Sequence, residues 1–218
     1  ATDDRQRQRL ASSNGMSGED AFNPLDIANL RESIGNALLS TAPTRLDKIT
    51  AFRGAGIYAI YYTGSFKAYE LLAEKNRGDQ WAAPIYVGKA VPAGARKGIA
   101  LDAETRALGK RIGEHAKSVQ AAENLEVEDF YARWLVTEPI WIPLGESLLI
   151  GRYAPVWNTI VDGFGNHNPG KGRHAGMVSR WDVLHPGRSW AQKFAPRNET
   201  AEDIAKDVIE YLRQRDQV

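Results

Sequence analysis

The chain of 218 residues contains no cysteine, which excludes a disulfide framework, a thiolate zinc site and a cysteine nucleophile. It contains no apolar run that approaches the length of a membrane span. Its first residues are polar and unlike a signal peptide, so we expect a cytoplasmic protein that does not enter a membrane. The chain also has almost no excess of one sign of charge, because its formal net charge is only +1.

The composition is that of a globular protein, with 43% hydrophobic and 25% charged residues. This length is ample for a single hydrophobic core. We expect a mobile, polar arm over residues 1–22 and one domain over 23–218, with its core at about 50–160 and a C-terminal extension.

The basic residues are clustered. Residues 89–117 hold seven Lys and Arg against three acids, and residues 171–197 hold six against Asp182 alone. The rest of the chain holds 15 basic and 23 acidic residues. This distribution fits a positive face for a polyanion, but it also fits a solvated surface with clustered charges. Charge alone does not decide between the two.

Three segments have the alternation and the β-branched and aromatic content of strands, namely 56–62, 84–89 and 128–138. Because side chains alternate across a strand, Tyr58 is expected to lie on the opposite face from Ile57. Apolar spacing and capping residues predict helices near 24–40, 65–73, 103–120, 144–153 and from Thr200 onward.

Two helices carry polar residues that need an explanation. Arg111 and His115 are four residues apart, so they share one helix face and could both reach one phosphate, or could simply decorate the surface. Glu146 is the sole acid in an apolar helix, and a carboxylate there needs a partner. That partner is either a bound cation or a neighbouring base such as Arg152.

Taken together, Gly56-Ile57-Tyr58, Tyr86-Val87-Gly88, Arg111-x-x-x-His115, Glu146 and Asn158 resemble the active-site pattern of the GIY-YIG nuclease superfamily. Further markers resemble the branch of Type II restriction endonucleases that cut CCGCGG. They are the segment 84–94, Trp157-Asn158-Thr159 leading into the segment 161–167, and Trp181-Asp182-Val183 with His185-Pro186-Gly187-Arg188. The resemblance extends from about residue 50 to about residue 192.

This resemblance implies an α+β fold, with a small antiparallel sheet of about three core strands flanked by helices. It implies one active site per subunit, with Mg²⁺ as the cofactor and Mn²⁺ as a plausible substitute. It also implies a homodimer on palindromic double-stranded DNA, which some relatives extend to a tetramer.

The family also implies roles for single residues. Glu146 would be the sole protein ligand of Mg²⁺, and Arg111 would clamp the scissile phosphate. Tyr58 would take the proton from the attacking water, for which its pKa has to be depressed by Lys89 and the basic helix. His115 competes for that role, because its ordinary pKa is better placed. Two residues support them: Tyr86 would orient the water or the phosphate, and Asn158 would position the metal-side oxygens or hold Glu146.

DNA contacts are expected from both basic clusters, and above all from the Gly-rich segment 161–173 with the basic stretch after it. Arginine and lysine can read guanine O6 and N7, although each can also contact only phosphate. The candidates are Arg96, Lys97, Lys110, Lys171, Arg173, Arg180 and Arg188.

Three other functions remain open. The chain could be a homing or repair nuclease of the same superfamily, although no boundary leaves room for a separate DNA-binding domain. It could be a catalytically inactive DNA-binding module, although the catalytic set is intact. It could also be an interaction protein without a nucleic-acid role, which leaves the clustered charge unexplained.

Overall fold

The computed structural model describes residues 25–92, 105–168 and 176–216. The expected N-terminal arm lies outside the described residues. So do four of the expected DNA-contacting residues, Arg96, Lys97, Lys171 and Arg173.

A single antiparallel sheet organises the described chain, with the strand order β1-β4-β2-β3. Its strands are β1 (Thr44–Arg45), β2 (Gly56–Tyr62), β3 (Pro84–Ala90) and β4 (Phe130–Val136). The three long strands are those expected from the sequence, and the two-residue β1 adds a fourth. Because β3 is an outer strand, one of its edges faces other parts of the chain.

Helices cover both faces of this sheet, which confirms the α+β class. They are α1 (Ile27–Leu39), α2 (Glu70–Glu74), α3 (Ala107–Ala121), α4 (Ile142–Tyr153), α5 (Val156–Thr159), α6 (Arg180–Leu184) and α7 (Ala201–Arg215). Short 3₁₀ turns occur at Leu46–Lys48, Lys67–Tyr69, Val127–Asp129 and Ala191–Lys193. Within the described ranges, no helix combines the length and the apolar character needed to cross a bilayer.

Helix boundaries differ from the expected ones in two places. The segment expected as one helix near 65–73 forms a 3₁₀ turn and then α2, without a cap from Ser65. Helix α3 begins at Ala107 rather than near 103. By contrast, Thr200 and Asp203 form the predicted capping box at the start of α7, with each side chain bonded to the other residue's backbone N–H.

Strand β2 is buried on both faces, and its side chains alternate between two hydrophobic clusters. Tyr58, Ile60 and Tyr62 enter the larger cluster, whereas Ile57, Ala59 and Tyr61 enter the smaller one. The larger cluster also contains the apolar stripes of α3 and α7, and the smaller one packs against α1 and α4. The two faces of the strand therefore divide as the sequence predicted.

A buried hydrogen-bond chain attaches the C-terminal extension to this core. The Trp157 indole N–H donates to the Tyr69 hydroxyl (2.8 Å), and this hydroxyl bonds His185 Nε2 (2.6 Å). On the other side of the ring, His185 Nδ1 bonds Asn124 Oδ1 (2.9 Å). Since Asn124 Oδ1 can only accept, Nδ1 carries the proton and Nε2 accepts from Tyr69. The chain is therefore satisfied only while His185 is neutral.

This arrangement predicts that the folded protein loses stability in acid. Burial, reinforced by the charge of Arg188, lowers the pKa of His185 to about 3, against 6.5 for an ordinary histidine. The unfolded chain therefore binds a proton at this residue between pH 6.5 and pH 3, and the folded chain does not. The stability that His185 contributes is complete above pH 6.5 and is lost as the pH falls toward 3, by about 3 kcal/mol at pH 4.5.

We therefore predict that the free energy of unfolding in urea falls from pH 7 to pH 4.5, and that His185→Gln removes a large part of this fall. Glutamine can donate and accept hydrogen bonds but does not titrate. His167→Gln serves as the control, because His167 is 58% exposed. An unchanged pH dependence in His185→Gln would contradict the buried neutral imidazole.

Candidate active site

The two catalytic tyrosines expected from the sequence lie side by side on β2 and β3. In the antiparallel register, Tyr58 is opposite Gly88 and Ile60 is opposite Tyr86, so both tyrosines are on the same face. Their ring centroids are 6.2 Å apart. A Cβ atom on residue 88 would collide with the Tyr58 hydroxyl, which explains why the strand has glycine there.

His115 lies directly against Tyr58. Its Nε2 atom is 2.6 Å from the Tyr58 hydroxyl, and its ring stacks on Phe164 with centroids 4.5 Å apart. The residue is only 2% exposed, so it faces the phenol and not the surface. The expectation that Arg111 and His115 both reach one phosphate is therefore corrected. Burial, followed by the charge of Arg111, lowers the pKa of His115 well below 6.5 and keeps the ring neutral.

The structure also corrects the expected pKa of Tyr58. Burial, followed by the neighbouring Tyr86, raises this pKa well above 10, and the opposing effect of Arg111 is smaller. Burial also raises the pKa of Tyr86. Lys89 does not depress the pKa of Tyr58, since its ammonium group is paired elsewhere. In the free protein Tyr58 is therefore a neutral phenol that is hydrogen bonded to a neutral imidazole.

Arg111 lies one helical turn before His115 and faces outward. Its Nη2 donates to the Gly165 carbonyl (2.8 Å), and its Nη1 contacts His167 Nε2 and pairs with Glu114 (3.5 Å). The side chain is 21% exposed. A partly exposed guanidinium can bind a phosphate, and this role of Arg111 stays a prediction from the sequence.

Glu146 is brought to the same edge of the sheet by α4. Its Oε2 accepts a hydrogen bond from the Lys89 ammonium group on β3, and its side chain is 20% exposed. The partner of this carboxylate is therefore Lys89. The alternative partner, Arg152, lies over the Tyr153 ring at 5.3 Å.

The donor set fits a cation that keeps most of its water. Among residues 25–92, 105–168 and 176–216, no three His, Asp or Glu side chains gather as they would in an all-protein metal centre. A single partly exposed carboxylate matches Mg²⁺, which commonly takes one or two carboxylates together with waters and phosphate oxygens. Glu146 is the residue that would hold it.

Asn158 has a different role from the expected one. Its Oδ1 accepts from the Val87 N–H, and its Nδ2 donates to the Val87 carbonyl, both at 2.8 Å. Both polar atoms of the amide thus serve the outer edge of β3, where they replace a neighbouring strand. Asn158 positions the strand that carries Tyr86 and Lys89, and its amide is not directed at Glu146.

A cleft of about 600 Å³ adjoins the site and shares Lys89 and Arg111 with it. The charged residues of its lining are mainly basic, with Glu114 as the acid among them. The polar lining residues are Lys89, Thr105, Arg106, Lys110, Arg111, Glu114 and His167. Lys110, an expected DNA contact, therefore lies beside Arg111, and four described residues of the first basic cluster line this cleft.

A family model for the Eco29kI GIY-YIG domain matches residues 50–212. The chain belongs to this restriction endonuclease family. The match contains the whole site and most of the C-terminal extension. No curated protein matches the chain. The Eco29kI-type domain is a restriction endonuclease-like nuclease, and its substrate is DNA.

Two residues expected to contact DNA have internal roles in this Eco29kI-type domain. Arg188 is 4% exposed, and its guanidinium is paired with Asp182. Arg180 donates to the Ile160 carbonyl (2.7 Å) and forms ion pairs with Glu199 and Asp207. The second basic cluster is thus partly neutralised within the protein, because nearby carbonyls and acids already occupy these donors.

Sequence reasoning did not identify two residues that contact the catalytic groups, Phe164 against His115 and His167 against Arg111. Both lie in the segment 161–167, which was expected to mark the family and, as part of the Gly-rich segment 161–173, to contact DNA. Its position just after Asn158 was the available signal. A Gly-rich turn that directly follows the residue supporting β3 can fold back over the site.

The two hydrogen bonds of Asn158 predict that removing its amide lowers the free energy of unfolding. Asn158→Ala leaves the Val87 N–H and carbonyl without partners at a partly buried edge, which should cost about 1–3 kcal/mol in urea unfolding. Asn36→Ala on the exposed side of α1 is the matched control and should change stability by less than about 0.5 kcal/mol. Equal effects of the two substitutions would show that Asn158 does not support β3.

Proposed function

We propose that this chain is a Type II restriction endonuclease that cleaves double-stranded DNA at a GC-rich palindrome, expected to be CCGCGG, with Mg²⁺ as its cofactor. The observation that carries the proposal is the convergence of Tyr58, Tyr86, Arg111, His115 and Glu146 at one edge of the sheet, beside a basic cleft. Membership of the Eco29kI family supports it.

Hydrolysis of a phosphodiester needs an activated water and compensation of the charge on the phosphate. Arg111 supplies a guanidinium at the cleft wall for the phosphate. When bound at Glu146, Mg²⁺ supplies charge neutralisation at the phosphate and the leaving 3′-oxygen. Mn²⁺ has similar ligand preferences and can substitute.

The buried pair contains both candidate bases, and exposure does not separate them, because Tyr58 is 0% and His115 2% exposed in the free protein. The family pattern assigns the proton of the attacking water to Tyr58. The neutral Nε2 of His115 can accept the proton of the Tyr58 hydroxyl while this hydroxyl takes a proton from the attacking water. In this assignment Tyr58 takes the proton of the water, and His115 is the acceptor behind it. Tyr86 lies beside both members of the pair, with its ring centroid 5.2 Å from that of His115 and 6.2 Å from that of Tyr58.

The duplex has two strands, and each chain carries one catalytic set. A homodimer on a palindrome places one set on each strand, because the two-fold axis of the protein coincides with that of the DNA. We therefore propose a homodimer, which could pair further into a tetramer. Acting on DNA inside the cell, the enzyme would work in the cytoplasm.

The proposal is tested by digesting a plasmid of known sequence with purified protein and Mg²⁺, then mapping the ends. We expect discrete fragments whose ends all fall within one GC-rich palindrome. Glu146→Gln should abolish cleavage but retain DNA binding in a gel-shift assay, because glutamine cannot supply the ligand charge. Cuts at an asymmetric site would favour a homing or repair nuclease. Binding without cleavage would favour an inactive module, and unimpaired cleavage by Glu146→Gln would remove Glu146 from the metal site.

The relay through Tyr58 and His115 predicts that the two residues act as one unit. Tyr58→Phe and His115→Phe should each lower the single-turnover cleavage rate by roughly 100-fold or more. The double variant should lose little beyond either single variant, since each substitution already breaks the same proton path. Phenylalanine at position 115 preserves the stacking on Phe164. Multiplied losses in the double variant would show that the residues act separately.

A further inference from the structure

Arg188 lies at the centre of a buried cluster outside the catalytic pattern. Its Nε and Nη2 bond the two carboxylate oxygens of Asp182 at 2.7 and 2.8 Å, and both side chains are 3% exposed. Its guanidinium lies between the rings of Trp181 (4.3 Å) and Trp190 (4.6 Å). A buried charge so tightly paired has a fixed position, which makes it a suitable anchor.

The remaining donor capacity of Arg188 goes to one short loop, residues 163–167, which we term the clamp loop. Nη2 donates to the Gly163 carbonyl (3.0 Å), and Nη1 donates to the carbonyls of Phe164 (3.2 Å) and Asn166 (3.4 Å). Gly163 has a φ of +105°, a backbone conformation that favours glycine. One side chain thus holds three carbonyls within four residues.

The clamp loop in turn contacts the catalytic groups. The Phe164 ring stacks on His115 and lies 5.0 Å from the Tyr86 ring. The Gly165 carbonyl accepts the hydrogen bond of Arg111 (2.8 Å). The loop that Arg188 holds therefore contacts two groups of the site. Gly165 orients the Arg111 guanidinium, and Phe164 orients the His115 imidazole.

We infer that Arg188, fixed by Asp182, is a positioning residue for DNA cleavage, which rests on the proposed nuclease function. It touches neither DNA nor the reacting atoms. It holds the clamp loop so that Gly165 aims Arg111 and Phe164 supports His115. A guanidinium is required because five N–H donors in a fixed plane can serve a carboxylate and three carbonyls together, whereas a lysine ammonium has three donors.

The test is Arg188→Lys, which keeps the charge opposite Asp182 but loses most of the bonds to the loop. We expect the single-turnover rate to fall roughly 10- to 100-fold, because small misplacements of reacting groups cost about that much. The dissociation constant for DNA without metal should change less than threefold. Val208→Ala is the control for lost stability, since Val208 is fully buried in α7, outside the described site. Equal rate losses in the two variants overturn the inference.

A double-mutant cycle separates positioning from general packing. If Arg188 acts mainly through Arg111, Arg188→Lys should cost several-fold less in an Arg111→Lys background than in the wild type. Should Arg188→Lys fail to fold, Asp182→Leu with Arg188→Met removes both buried charges and should show the same loss of rate. Fully additive effects, or a wild-type rate in the variant that folds, overturn the positioning role. A wild-type protein that cleaves no DNA overturns the proposed function itself.

Discussion

The hydrogen bond between the Tyr58 hydroxyl and His115 Nε2 is the interaction on which the site depends. It joins the central strand β2 to helix α3 inside the larger core, where a phenol and a neutral imidazole can be buried at little cost only because they satisfy each other. Burial shifts both pKa values away from the charged forms. The pair is therefore held ready as a neutral donor and acceptor, and in the proposed relay the phenol stays neutral because it takes a proton from the water as it gives one to His115.

The rest of the site follows from the place of β3 at the edge of the sheet. Its two faces meet different layers, so Tyr86 joins the pair on one face while Lys89 reaches Glu146 on α4 on the other. The amide of Asn158 closes the open edge of β3. Helix α3, which carries His115, also places Arg111 at the cleft wall one turn earlier. The proposed base, phosphate anchor and metal ligand are thus brought together by four elements, β2, β3, α3 and α4.

The spacing of apolar residues in the sequence predicted the strands and the buried faces of the fold. The strands, the division of β2 between two cores and the buried stripe of α3 follow from the alternation of residues such as Ile57 and Tyr58. The roles of Arg180, Arg188 and Asn158 could not be predicted, since charge counting does not reveal which guanidinium meets an acid or a carbonyl inside the protein. The pKa of Tyr58 was expected to fall because the role of base requires it, with Lys89 and the basic helix as the available cations. Its burial, which depends on tertiary packing, has the larger effect.

The account is tested most directly by the protonation state of His115 in the free protein. The ¹⁵N chemical shifts of its imidazole can be followed by NMR between pH 8 and pH 5, with His115→Phe used to assign the signals. We predict a neutral ring throughout this range, with the proton on Nδ1 and an unprotonated Nε2 that accepts from Tyr58. A ring that titrates with a pKa at or above 6.5, or that carries its proton on Nε2, would contradict the account.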